Sequence, residues 1–282
     1  MYREVISIAG IVMAIESPRD FLLADRCYAF RVEDQAPDVT FRLLPEQGFD
    51  PSGMVCLRQA SHRSFWQQGQ TRFYVCYDRQ NLTQLRWFTR SSPERPGLVE
   101  VHVIAGDIWE RVNPLTFVEL SEFMIRHDIC ILHSSLIACQ GRGILFTAPS
   151  GTGKSTQAEL WKQYRGAQIL NGDRSMIRSR DGDTAYGSPY SGSSGIYRNE
   201  SAPVTAIVVL RQAPFNRVRR MTTKEAYLSL LSELSLSPIS RETVERQSQW
   251  LLSLLGRVPV FLLECLPDEG AVDTLYDVWK EL

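Results

Sequence analysis

The residues with the clearest chemical potential lie near the middle of the chain, in Gly143-Ile144-Leu145-Phe146-Thr147-Ala148-Pro149-Ser150-Gly151-Thr152-Gly153-Lys154-Ser155-Thr156. An apolar run ends in a loop of small residues, and the loop leads into a segment able to start a helix near Lys154. Phosphate oxygens need several donors converging from one side. A tight loop with inward N–H groups, followed by a helix N-terminus, supplies them. Gly151 and Gly153 permit the torsions and close approach that such a loop requires. On this pattern the backbone of Ser150, Gly151, Thr152 and Gly153 cradles phosphate, and Lys154 reaches the β- and γ-phosphates. Ser155 ligates Mg²⁺, and Thr156 donates to an inner phosphate. Ala148 stands where the first Gly of such a loop is usual. The bland alternative is a Gly/Ser-rich turn before a helix. The pattern specifies an ATP-like triphosphate and leaves the acceptor open.

Five further places carry candidate chemistry. His133 lies fifteen residues before Ala148. It reads either as a hydrogen-bonded structural His at a strand edge or as a polariser of a phosphate oxygen. Asp173, in Ile169-Leu170-Asn171-Gly172-Asp173-Arg174, is either a surface-turn Asp or a metal and proton ligand. Gly187-Ser188-Pro189-Tyr190-Ser191-Gly192-Ser193-Ser194-Gly195 is too poor in apolar residues for a core, and reads either as an ordinary flexible surface loop or as a mobile loop near the phosphates that excludes water on closing. Arg198 follows it as a candidate stabiliser of transferred charge. Arg217-Val218-Arg219-Arg220 alternates and fits a strand with a solvated basic face better than a phosphate contact.

Taken together, His133, the glycines Gly141 and Gly143, the phosphate loop and Asp173 resemble the HPr kinase/phosphorylase family and its relatives, which share a phosphoenolpyruvate-carboxykinase-like P-loop fold. The resemblance spans roughly residues 133–210, under a third of the chain. The stretch Gly187-Ser188-Pro189-Tyr190-Ser191-Gly192 is similar to a Gly-Pro-aromatic-Ser-Gly stretch of the same group, and Asn199 and Ala202-Pro203 after it fit that pattern. The resemblance implies a P-loop kinase core in which the acid ending the strand after the P-loop helix holds Mg²⁺ or accepts the acceptor's proton. That family uses an acidic pair. Here Gly172 occupies the first position, so Asp173 serves alone or another carboxylate is recruited. The Arg-Gly signature of the HPr-specific enzymes and their N-terminal domain are not found. What is implied is an ATP- and Mg²⁺-dependent transfer to a hydroxyl of a peptide, protein or small molecule. A non-catalytic ATP sensor and a carboxykinase-type small-molecule enzyme remain as alternatives.

These groups need elements to hold them, and the sequence supplies two textures. Residues 1–112 are β-rich, with apolar stretches at Val5–Ile15, Cys27–Val32, Val39–Leu44, Phe73–Tyr77, Leu82–Phe88 and Leu98–Ile104 separated by turn clusters. From Asn113-Pro114, an N-cap followed by a helix-starting Pro, a helix is expected to about Arg126. Strands at Ile129–Cys139 and Gly143–Ala148 follow, then a strand at Val204–Leu210. A capping box at Thr222–Glu225 opens a helix, another helix follows Ser240, a strand covers Val258–Glu264, and a last helix starts after Asp268. Trp161 and Trp250 are read as packing. The expected class is α/β (α+β), with a β-rich region 1–112 and a P-loop core over 113–282, either separate or one compact unit.

Bulk properties narrow the class further. The 282 residues carry a net charge of −1 from 31 basic and 32 acidic residues, against a nucleic-acid-coating protein. No apolar run is long enough to cross a bilayer, and the N-terminal residues lack a signal-peptide pattern. The six cysteines are dispersed without a C-x-x-C pair and are expected to be buried, reduced thiols of a cytoplasmic protein. A homo-oligomer is compatible with the sequence, and nothing in it specifies an interface.

Overall fold

The computed structural model describes residues 1–180 and 182–282. Contacts divide the chain into two compact units, Met1–Phe123 with Ser237–Ser240, and Met124–Leu236 with Arg241–Leu282.

The first unit holds an eight-stranded mixed sheet of β1 (Tyr2–Ile8), β2 (Ile11–Ser17), β3 (Val39–Pro45), β4 (Val55–Ala60), β5 (Arg63–Gln68), β6 (Thr71–Tyr77), β7 (Leu85–Ser91) and β8 (Leu98–Val103), ordered β1-β2-β3-β8-β7-β6-β5-β4. Val5–Ile15, one apolar stretch in the sequence, folds as a hairpin because Ala9 and Gly10 take φ of 53° and 73°, the torsions of a two-residue primed turn. Cys27–Val32 is not a strand. Asp25–Phe30 forms a 3₁₀ turn whose three-residue repeat puts the buried Cys27 and Phe30 on one side. The β4–β5 hairpin carried no readable alternation, since β4 is exposed along nearly its whole length. Cys56 lies on β4 and is exposed, unlike the other five cysteines, and all six are free thiols.

The helix expected from Asn113 is split. The Asn113 side chain accepts from Leu115 N–H and starts only a 3₁₀ turn at Pro114–Thr116. The Glu119 carboxylate then accepts from the N–H groups of Ser121 and Glu122 and opens α1 (Leu120–Ile125).

The second unit contains β9 (Ile129–Cys139), β10 (Arg142–Thr147), α2 (Lys154–Arg165), β11 (Gln168–Asn171), β12 (Arg174–Arg178), β13 (Thr184–Tyr186), β14 (Ser201–Gln212), β15 (Arg217–Arg220), α3 (Thr223–Leu231), α4 (Arg241–Leu255), β16 (Val260–Cys265) and α5 (Glu269–Trp279). The long strands β9 and β14 each pair with three others within one eight-stranded sheet. One end of β9 pairs with β12 and the other with β10 and β11, while β14 pairs with β13, β10 and β16. Strands β10, β14 and β16 run parallel. Their continuous apolar sequences reflect burial on both faces. Leu145 and Ile207 join a core with α3 and α4, including Trp250. Ile144, Phe146, Ala206 and Val208 join another with α2 and α5, where Trp161 meets Trp279 edge-on at 5.6 Å. The molecule is thus a mixed α/β protein with two large mixed sheets, of the α+β kind.

Candidate functional site

The phosphate-loop sequence folds as a strand, a loop and a helix. After β10, residues 148–153 form the loop, and α2 begins at Lys154. Gly151 and Gly153 take φ of 81° and 119°, conformations that side chains resist. Ser150 and Gly151 are exposed, as are Ser155 and Thr156 on the first turn of the helix. Lys154 folds back over the loop. Its ammonium donates to the carbonyls of Ala148 at 2.7 Å and Pro149 at 3.4 Å. Burial pushes the Lys154 pKa down, opposed by the Glu233 and Asp173 carboxylates. From β14, Gln212 donates to the Thr152 carbonyl at 3.3 Å, tying the strand end to the loop.

His133 and Asp173 come to the same end of the sheet. The backbone of β9 beside His133 is fixed by Thr147, whose hydroxyl donates to the His133 carbonyl at 2.9 Å, and by Ser134 N–H, which donates to the Asp173 carbonyl at 2.9 Å. The imidazole Nε2 stands 3.5 Å from Asp173 Oδ1. Its Nδ1 faces Glu233 Oε2 at 2.8 Å. Glu233 was not visible in the sequence reading: it lies 100 residues from His133, just past the end of α3. The only local signal is one carboxylate in the otherwise apolar or hydroxylic run Leu228–Leu236. Arg174 was also missed, and its Nε lies 3.7 Å from Asp173 Oδ2.

The turn before Asp173 is organised by Asn171, which is fully buried. Its carbonyl oxygen accepts from the N–H groups of Asp173 at 3.1 Å and Arg174 at 2.8 Å. Its amide donates to the carbonyls of Ser188 at 3.1 Å and Tyr190 at 3.0 Å. The segment expected as a mobile lid is therefore anchored over much of its length: Gly187, Ser188, Pro189 and Ser191 are buried. The buried Ser188 hydroxyl is satisfied by donating to the Arg174 carbonyl at 2.6 Å, whereas the buried Ser191 hydroxyl has no hydrogen-bond partner among the described residues. Residues 191–196 pack on the turn itself. A Cβ at Gly172 would lie 1.8 Å from Ser194 Oγ, so the space that an acidic side chain would need is filled.

Arg198 stands apart from this group. Its guanidinium donates to the Ile169 carbonyl at 3.2 Å and lies 3.5 Å from Glu200. In β15 the Arg217 and Arg219 side chains pair with Glu264 and Glu225, and Arg211 also pairs with Glu264, which is nearly fully buried. Among the described residues, no group of three or more His, Cys, Asp or Glu side chains is arranged to hold a metal ion by itself. No helix among them is long and apolar enough to cross a membrane.

Neither a protein-family model nor a curated protein matches the chain. Among solved structures it is similar to the HPr(Ser) kinase/phosphatase from Coxiella burnetii, with a TM-score of 0.32 and 13% identity, covering 54% of this chain and 96% of that one. A likeness that distant leaves the functional reading to the geometry of the site.

Proposed function

We propose that the protein is an ATP- and Mg²⁺-dependent kinase, similar to the HPr kinases, that moves a γ-phosphoryl group to a hydroxyl of a peptide, protein or small molecule. One observation carries it: a glycine-bent loop with a folded-back lysine at the start of a helix, at the same sheet end as His133, Asp173 and Glu233. The fit to a triphosphate is physical. At Gly151 and Gly153 the space beside the backbone is open, with nothing within 4 Å of a Cβ position, so an anion can approach the loop amides. The Lys154 ammonium is held by carbonyl dipoles that an anion can replace.

In this reading the N–H groups of Ser150–Thr156 and the Lys154 ammonium bind and neutralise the phosphates. Ser155 and Asp173 would hold Mg²⁺, which supplies charge neutralisation between the phosphate groups. Asp173 and His133 orient the acceptor and take its proton. The cation within ion-pair reach of Asp173 is Arg174, which fits a charge-stabilising role more closely than Arg198 does. The acceptor class excludes nucleic acid on the balanced charge, and a cytoplasmic protein is the setting in which ATP is available.

The test is turnover of Mg²⁺-ATP by the purified chain, with and without a cytosolic extract as acceptor pool, beside Lys154→Ala. Loss of that lysine is expected to lower turnover by about 10²–10³-fold. A second reading, an ATP sensor without turnover, draws on the contact between Ser194 and Gly172, which couples residues 191–196 to the turn carrying Asp173. Tight ATP binding with no phosphate release or transfer in any of these conditions would establish the sensor instead.

A further inference from the structure

Glu233 reaches the site by backbone design. The chain leaving α3 pairs with β9: His133 N–H donates to the Glu233 carbonyl at 2.9 Å, and Ser235 N–H donates to the Ile131 carbonyl at 3.0 Å. Leu234 and Leu132 form the antiparallel bridge between them. Gln247, on α4 and almost fully buried, donates to the Ser235 carbonyl at 2.9 Å and closes the far side. The fully buried Leu230 anchors the last turn of α3. Glu233 is therefore set opposite His133 whatever its side chain does, and that side chain is 11% exposed against the imidazole.

A carboxylate accepts and cannot donate, so the 2.8 Å contact places the imidazole proton on Nδ1. Nε2 then presents a lone pair. In the neutral ring, Asp173 Oδ1 presents another 3.5 Å away, and the two together suit a donor that brings a proton. An acceptor hydroxyl is such a donor. On the kinase reading above, on which this step rests, we infer that Glu233 is the positioning residue of a Glu233–His133 dyad in which His133 Nε2 is the general base, and that it replaces the carboxylate that Gly172 cannot carry.

The step balances without a further reactant. The acceptor O–H proton passes to His133 Nε2, and the acceptor oxygen forms its bond to the γ-phosphorus of the nucleoside triphosphate. The bond from that phosphorus to the β–γ bridging oxygen breaks, and the diphosphate leaves with the electron pair. Glu233 holds Nδ1–H throughout and stabilises the imidazolium that forms. Asp173 is then free to act on the metal.

Two measurements on the full chain test this. The first is the side-chain ¹⁵N spectrum, with His133→Asn identifying the His133 signals among the four histidines. The wild type should show the Nδ1–H tautomer, and Glu233→Ala should lose it. Glu233→Gln, which keeps the shape and one acceptor oxygen, should fall between them. The second is hydrolysis of Mg²⁺-ATP with water as acceptor. Glu233→Ala should lower kcat by about 10- to 100-fold at unchanged KM for ATP, Glu233→Asp should recover part of it, and adding Glu233→Ala to His133→Asn should change nothing more. Wild-type turnover together with an unchanged tautomer in Glu233→Ala would overturn the dyad alone. So would a double variant slower than His133→Asn by the full factor of the single Glu233→Ala. A wild type without any turnover would overturn the kinase reading and the proton transfer with it, and the nitrogen spectrum would still decide whether Glu233 sets the ring.

Discussion

At position 172 the structure leaves no room for a side chain. The turn before Asp173 lacks an acid because Ser194 occupies the space, and the Ser194 hydroxyl is itself committed, donating to the Ser191 carbonyl at 2.7 Å. Gly172→Asp is expected to destabilise the protein by about 1–3 kcal/mol through overpacking, read from the urea midpoint. Combined with Ser194→Gly it should cost less than the sum of the two single changes. Strict additivity would show that Ser194 is not what fills the space. The strand, loop and helix over β10 and α2 were legible in the sequence because their pattern is local, lying within about a dozen positions. That His133 and Asp173 lie side by side followed only from a pattern of spacings. Glu233 was not, since its partner is fixed by the pairing of a post-helical segment with β9, which no local rule encodes.

Element by element, the capping box that sequence reading placed at Thr222 is present and gives α3 its start. The Thr222 side chain accepts from Glu225 N–H, and Glu225 reaches back to Thr222 N–H. Because α3 ends at the site, its first turn helps to set Glu233. Thr222→Ala should cost about 1 kcal/mol in chemical denaturation. The Arg219 guanidinium, and then the Thr222 backbone and hydroxyl, hold the Glu225 carboxyl down at about 2, below its ordinary 4.5. A depressed carboxyl stabilises the fold fully above the unfolded value and loses that contribution as pH falls through the folded one. The Tm gap between wild type and Glu225→Gln should therefore be constant above about pH 4.5 and close towards pH 2; a gap independent of pH would show that the ion pair contributes nothing. On the other face, Trp279→Ala should cost about 3–5 kcal/mol, since that ring is fully buried against Trp161 and under the Arg142 guanidinium at the start of β10. Elements were misread where a short apolar run served more than one period: Asp25–Phe30 uses a repeat of three residues, where Cys27–Val32 suggested a strand.

At the scale of the whole molecule, the parallel strands β10, β14 and β16 bring their C-terminal ends, the loop and the acidic turn to one place, the position where open α/β sheets bind ligands. Hydrogen exchange of the full chain with Mg²⁺-ATP should slow at residues 133–135, 148–156, 171–175 and 232–235, and stay unchanged through β1–β8. Protection centred on β1–β8 would move the nucleotide site out of the second unit. The several partners of β9 and β14 within their sheet could not be read from the sequence. The partners of β14 come from segments about 15 to 60 residues away on either side, and hydrophobic runs say that a strand is buried without saying beside what.

The contact between Ser194 and Gly172 also orders the paths open to descent. A lineage that gained an acid at 172 first would have to survive an overpacked turn, whereas one that first reduced Ser194 to glycine would then find the position available. Substitution at 194 is thus a permissive change for a side chain at 172.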